Sequence, residues 1–416
     1  MRNILLAGVA LVGVSAFLTE ARAQDAASPV FNMTSTPGKL NGAAPGSVTV
    51  NIGIQELTAV MGESGTGATG QNARAFPQLF NWFHLFPSAD YVTPAGVHFG
   101  TNAEIRNNNS GAGLGNGGNT LYVHSATGYV SSDKFGKLAF GTPNGALDDL
   151  GVGTGDDFGD GLFYSWYGPP NAPTWAMADS YDGDTPRQKI TYETPTFGGF
   201  KAGVSYQPSD IALDHSTAVT TGNPTNGAGI FAHPQGLARN RVEAAVQFNR
   251  AFGAVGIKAD LGGAFSGVET SPGGPAFQNV SYFNAGGVAT IAGVELEGSV
   301  SSGKFNATGN QVGGGFESPG GPALAGSKNS TVFVVGLGYN MGPFGIGAVY
   351  YGMSYDDSEQ TGVLGHTDTV SGEGLGASYV VGPGVTLQFD AYTYQTKLPT
   401  TTTHGNIVAV ASQFAF

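Results

Sequence analysis

From Val48 onward the chain repeats one kind of unit, eight to twelve residues of alternating apolar and polar positions closed by a turn. In Val48 to Ile54 the residues Val48, Val50, Ile52 and Ile54 share one face, while Thr49, Asn51 and Gly53 share the other. A period of two is the signature of a strand with unlike environments on its two faces. The same separation sets Val97, Phe99, Ala103 and Ile105 against His98, Asn102, Glu104 and Arg106. It recurs in Phe200 to Gln207, Val242 to Asn249, Val255 to Leu261, Val294 to Val300 and Val385 to Ala391. Within these runs charge falls on one parity only. A Lys or Arg facing lipid at mid-depth costs roughly 2–4 kcal/mol, whereas one facing a watery lumen costs little, so this parity separates an apolar outside from a wet inside.

Counting such runs predicts strands over 48–59, 78–85, 97–107, 120–131, 137–142, 187–194, 200–207, 241–249, 255–267, 280–291, 294–303, 329–340, 344–356, 371–381, 385–396 and 406–416. Connections between them alternate in length. Thr194–Gly199, Arg250–Ala254, Ala292–Gly293, Met341–Pro343 and Gly382–Gly384 are short. Pro208–Asn240, Val268–Asn279, Lys304–Lys328, Asp357–Val370 and Lys397–Gly405 are long, polar and glycine-rich. Tight turns at one end and elaborated loops at the other, with an even strand count, predict an all-β fold: a transmembrane antiparallel barrel of about 16 strands. Aromatic residues beside the short turns (Tyr192, Phe197, Phe200, Phe248, Phe252, Tyr339, Phe344 and Tyr379) suit an interfacial girdle. The stretch Phe76–Phe86 is apolar on both faces, as a strand covered by another subunit would be.

Composition narrows the reading further. Residues 1–23 combine Arg2, an apolar run from Ile4 to Leu18 and a small-residue site at Ala21-Arg22-Ala23, the pattern of a secretory signal, leaving 24–416 as one domain. The formal charge is −13, and removal of Arg2, Glu20 and Arg22 makes it one unit more negative. That balance excludes nucleic acid as a partner and permits a preference for cations. With no cysteine there is no disulfide or thiolate metal site, so backbone pairing and burial carry the fold.

The longest gap between strands, Gly141–Pro186, carries eight aspartates and two of the three tryptophans. A gap of this length inside an ordered protein is functional or disordered, and its aromatic residues argue for order. Gly155–Gly161 and Asp179–Asp184 are dense in carboxylates, and a Ca²⁺ ion at Asp156, Asp157 and Asp160 is one reading, although neither stretch has the EF-hand spacing with its closing Glu. Otherwise no cofactor is expected. The two G-x-G-x-x-G matches, Gly65–Gly70 and Gly113–Gly118, have no helix after them and are not dinucleotide sites. Hydrolase motifs such as G-x-S-x-G and H-E-x-x-H are absent, so no catalytic residues are assigned. A barrel-wall hydrolase stays as the least favoured alternative, since triads assemble in space.

The alternating strands, the outsized acidic loop after the fifth of them, the export signal and the terminal Phe416 together resemble the Gram-negative outer-membrane general diffusion porins. Phe135–Gly141 (FGKLAFG) and Ile190–Phe200 (ITYETPTFGGF) are similar to the strand-five and strand-six regions of that family. The loop starts Thr142-Pro143-Asn144-Gly145 in place of the PEFGG-type motif of enterobacterial members. The resemblance implies a homotrimer in the bacterial outer membrane, in contact with lipid and lipopolysaccharide, each barrel narrowed by its third loop, about 142–186, folded into the lumen. On that architecture the loop's Asp148, Asp149, Asp156, Asp157 and Asp160 are the acidic side of the constriction. Strand parity puts Arg106, Arg187, Lys189 and Lys201 on a basic wall, with Lys258 a weaker candidate. Charged rings and pore diameter set selectivity in channels. The expected function is passive diffusion of ions and small hydrophilic solutes with mild cation preference. The alternative is a carbohydrate-selective porin using Tyr164, Trp166 and Tyr167 as a stacking path.

Overall fold

The computed structural model describes residues 45–66, 78–107, 121–152, 188–209, 238–268, 279–304, 329–355, 367–397 and 402–416. The strands in them form one closed antiparallel barrel. Its first half comprises β1 (Val48–Thr66), β2 (Gln78–Val92), β3 (His98–Asn107), β4 (Leu121–Ser132), β5 (Gly136–Gly141), β6 (Lys189–Glu193), β7 (Phe200–Ser209) and β8 (Ala238–Phe252). The second half is β9 (Val255–Val268), β10 (Val280–Ile291), β11 (Val294–Lys304), β12 (Ser330–Met341), β13 (Phe344–Tyr355), β14 (Asp368–Gly382), β15 (Val385–Lys397) and β16 (Thr402–Ala415). Each strand pairs with its sequence neighbours, and β1 closes the ring on β16, with Gln55 opposite Ala415 and Thr66 opposite His404.

All sixteen strands expected from the alternation are present, and the chief differences lie at strand ends. β1 continues to Thr66, beyond the expected 59, and β16 begins at Thr402 instead of 406. β2 continues through Pro87 to Val92. Proline has no N–H for a ladder and is confined to places where none is needed. Pro87 stands opposite Ile52 of β1, while on the β3 side the register passes from the Leu85/Ile105 pair to Ser88/Asn102.

The alternation sorts side chains as expected. On β1, Val50 is 72% exposed and Leu57 fully buried, so even positions point outward and odd ones into the barrel. Short turns close one end. Ile291 pairs with Val294 across Ala292 and Gly293, both at positive φ (51° and 84°), the two-residue turn whose twist matches that of the strands it joins. Beside these turns the outward rings stack in pairs, Phe200 with Phe248 at 4.8 Å and Phe344 with Tyr379 at 4.7 Å between centroids.

The inner wall is of two kinds. On β12–β16 and β1 it carries a buried apolar cluster that includes Leu57, Val334, Tyr351, Tyr392 and Ile407. On β6–β10 it is polar and charged, and it supports the one helix among the described residues, α1 (Ala146–Leu150). β5 and β6 are the shortest strands. The chain therefore leaves the sheet early, tied by Thr142 N–H and Oγ1 to Ala126 O at 2.9 and 3.0 Å, and turns into the lumen.

Candidate functional site

The helix α1 sits against the inner wall of β6–β9 and is built for that position. Leu147 and Leu150 are buried with Ala245, Ala264, Val280 and Tyr282. The wall makes room with glycines whose Cβ atoms would collide with the segment: Gly203 against Leu150 and Ala146, Gly262 against Leu147, and Gly286 against the carbonyl of Val152. Five residues are too few for a self-supporting helix, and the cap position, Gly145, has no side chain to offer. The wall supplies the cap. Glu243 of β8 accepts the backbone N–H of Leu147 and the Ser205 hydroxyl at 3.0 Å, and Ser205 Oγ in turn accepts the Ala146 N–H at 3.2 Å. At the other end Gln247 donates to Leu150 O at 2.9 Å, and Val152 N–H donates to Asp260 Oδ1 at 3.1 Å. Asn284 and Ser301 continue that chain, at 2.6 Å to Asp260 and 2.8 Å to Asn284 Oδ1.

Asp149, on the same helix, turns to the wall and shares a hydrogen bond with Glu193 at the end of β6. Burial, reinforced by the Glu193 carboxylate, pushes the Asp149 carboxyl up to about 7, against the opposing pull of Lys137 and Lys201. Asp148 is half-buried. Asp156, Asp157, Asp160, Tyr164, Trp166, Tyr167 and Arg187 lie outside the described residues, and so does the suggested Ca²⁺ site.

Of the basic residues expected on the wall, Arg106, Lys189 and Lys201 lie on the inward face of their strands, yet they do not form a free basic ladder. Arg106 Nε donates to Glu104 Oε1 at 2.6 Å, and His84 Nδ1 lies 3.0 Å from the same oxygen. Lys201 and Lys137 both pair with Glu193, the latter at 3.7 Å. Lys189 is buried near Glu243, whose Oε1 also accepts from Arg241 at 2.9 Å. Asp90 accepts the Tyr129 hydroxyl at 3.0 Å and lies 2.7 Å from His98 Nδ1. Further carboxylates face inward away from the helix: Glu295 and Glu297 on β11, and Asp390 on β15, eight strands round the ring from β7. The wall carboxylates Glu104, Glu193 and Glu243 were missed by sequence reasoning as site residues, although a signal existed. Glu104/Arg106 and Arg241/Glu243 are two apart on a strand, so each pair shares a face and can bond.

A protein-family model described as Gram-negative porin matches residues 13–398. No curated protein matches the chain. Among solved structures, an anion-selective porin from Comamonas acidovorans aligns with a TM-score of 0.57 at 15% identity, covering 89% of this chain and 100% of that one. The outer membrane channel DcaP of Acinetobacter baumannii aligns with a TM-score of 0.58 at 13% identity, covering 90% and 99%. The trimer form of OmpT, an outer membrane protein of Vibrio cholerae folded in vitro, gives 0.52 at 13% identity, covering 89% and 100%. At such identities the likeness is one of fold.

Proposed function

The chain belongs to the Gram-negative porin family and forms a channel of the bacterial outer membrane; on that premise we propose that it passes ions and small hydrophilic solutes passively, prefers cations, and works as a homotrimer. Family and fold point to a channel rather than an enzyme.

The cation preference rests on one observation. Among the described wall residues the inward carboxylates Asp90, Glu104, Glu193, Glu243, Asp260, Glu295, Glu297 and Asp390 outnumber the inward cations Arg106, Lys137, Lys189, Lys201, Arg241 and Lys258. An excess of one sign in a narrow space raises the local concentration of the opposite ion. The neighbour described as anion-selective shares the fold at 15% identity, and the sign of selectivity belongs to the side chains of each lumen and not to the fold. The homotrimer is supported by the trimer form recorded for the Vibrio cholerae neighbour.

Planar-bilayer recording of the reconstituted chain tests the reading. A large ohmic conductance is expected, with a reversal potential in a salt gradient on the cation side. An anionic reversal potential would overturn the selectivity, and absence of conductance would overturn the channel.

A further inference from the structure

At the short-turn end of the barrel one arginine faces outward among aromatic rings. On β8 the outward positions read Val242, Ala244, Val246, Phe248, Arg250 and Phe252, and opposite Arg250 on β9 stands Ile257. The Arg250 guanidinium lies 5.5 Å from the centroid of the Phe252 ring, Phe252 lies 6.2 Å from Phe248, and Phe248 stacks on Phe200 of β7. Gly199, at a φ of 93°, keeps the neighbouring turn bare: a Cβ there would come within 3.1 Å of the Phe248 ring and 3.4 Å of the Arg250 Cβ. Phe197 stands opposite Phe200 across the same turn and is 87% exposed. The inner-face Arg106 and Arg241 hold carboxylates, whereas Arg250 makes no hydrogen bond or ion pair among the described residues. Among the described strands it is the only outward Lys or Arg at the short-turn end; Lys304 and Lys397, also on outward positions, stand at the long-loop end.

A guanidinium beside an aromatic face keeps its N–H donors for other partners, and its planar fork matches a phosphate. Short turns of a Gram-negative barrel face the periplasm, so Arg250 and the rings stand at the headgroup level of the inner leaflet, where the phosphate is that of a phospholipid. We infer that Arg250 and the rings around it form a binding site for one phospholipid of that leaflet, its phosphate on the guanidinium and its glycerol and first methylenes on Phe200, Phe248 and Ile257. The two halves of the site call for both halves of the ligand. An acyl chain alone would leave the guanidinium without an acceptor, and a free phosphate would leave the rings uncovered.

The probe is phosphatidylglycerol, added to the full-length barrel in detergent and counted on the intact protein by native mass spectrometry. The wild type should hold one phospholipid per barrel more than Arg250→Gln at matched lipid concentration, the affinity of that site falling by about tenfold or more in the variant. Lys397→Gln, which removes a charge at the long-loop end, should match the wild type. Should Arg250→Gln fail to fold, Arg250→Lys, which keeps the charge and loses the fork, should show the same loss in smaller measure. Equal occupancy in the wild type and the Arg250 variant, or an equal loss in Lys397→Gln, overturns the inference. Release of the bound lipid by an excess of inorganic phosphate also overturns it, because the site would then recognise the anion alone. A preference for lipopolysaccharide over phosphatidylglycerol overturns the assignment to the inner leaflet.

Discussion

Asp149 on the lumenal helix and Glu193 at the end of β6 hydrogen-bond through their carboxyl groups, a contact that requires one of the two to hold a proton. Asp149 is the holder, since burial raises it from 3.8 to about 7. The docked helix thus binds a proton more tightly than the undocked one. Its docking is strongest below pH 4, weakens by about tenfold per pH unit as the pH rises, and levels off near pH 7.

The first prediction follows from that sign. Current fluctuations from helix movement should be rarest in mildly acidic solution and grow toward pH 7. Asp149→Asn, which donates to Glu193 without a titrating proton, should remove the pH dependence while keeping the low-fluctuation behaviour. Single-channel noise at pH 5 and pH 8 for both proteins measures this, and a wild-type trend in the opposite direction would exclude the shared-proton contact.

Glu243 serves three partners, Arg241, Ser205 and the Leu147 N–H, and is itself buried. Removing the carboxylate leaves a buried guanidinium without its counter-ion, a change that typically costs about 3–5 kcal/mol. Glu243→Ala should therefore lower the urea midpoint of the detergent-folded barrel strongly. Glu243→Gln, which keeps an acceptor for the helix, should lower it less. Equal midpoints for both variants would show that the helix contacts contribute nothing.

Cation preference is predicted to depend on the inner carboxylates away from the helix. Glu295→Gln with Glu297→Gln should move the reversal potential in a salt gradient toward zero, leaving conductance in symmetric salt largely unchanged. Glu56→Gln, on the outer face, serves as the control and should leave the reversal potential unmoved.

Much of this was legible in the sequence, for a physical reason: a barrel wall has two unlike solvents, so each strand states its own orientation. The end of β1 was harder because Gly62-Glu63-Ser64-Gly65-Thr66 has no apolar position to alternate with its polar ones. β16 starts in Thr402-Thr403-His404-Gly405, which has no apolar alternation to detect. For the site, parity placed Arg106, Lys189 and Lys201 inward, but pairing is a property of neighbouring strands and of i,i+2 partners. Glu104 and Glu243 were legible through their i,i+2 partners Arg106 and Arg241, whereas Glu193, whose lysines lie on neighbouring strands, emerged only from the folded wall. The helix α1 was hidden for a related reason. Its five residues carry no cap of their own, and the group that caps them lies nearly a hundred positions later, on β8.

The seat of that helix gives the last prediction. Gly286 and Gly287 are adjacent on β10 and point to opposite faces. A methyl group at Gly286 would run into the Val152 carbonyl and the Asp260 side chain, whereas one at Gly287 would meet only the Lys258 carbonyl at an ordinary 3.7 Å. Overpacking of a well-fitted contact costs about 1–3 kcal/mol, and a substitution at an open position stays within about 0.5 kcal/mol. Gly286→Ala should accordingly displace the segment after α1, release the Val152 N–H from Asp260, and change both the unfolding midpoint and the single-channel conductance. Gly287→Ala should match the wild type in both. Because the two variants add the same methyl to the same strand, any difference between them isolates the lumenal contact from strand propensity. If the pair proved indistinguishable, the segment after α1 would not be resting on this wall.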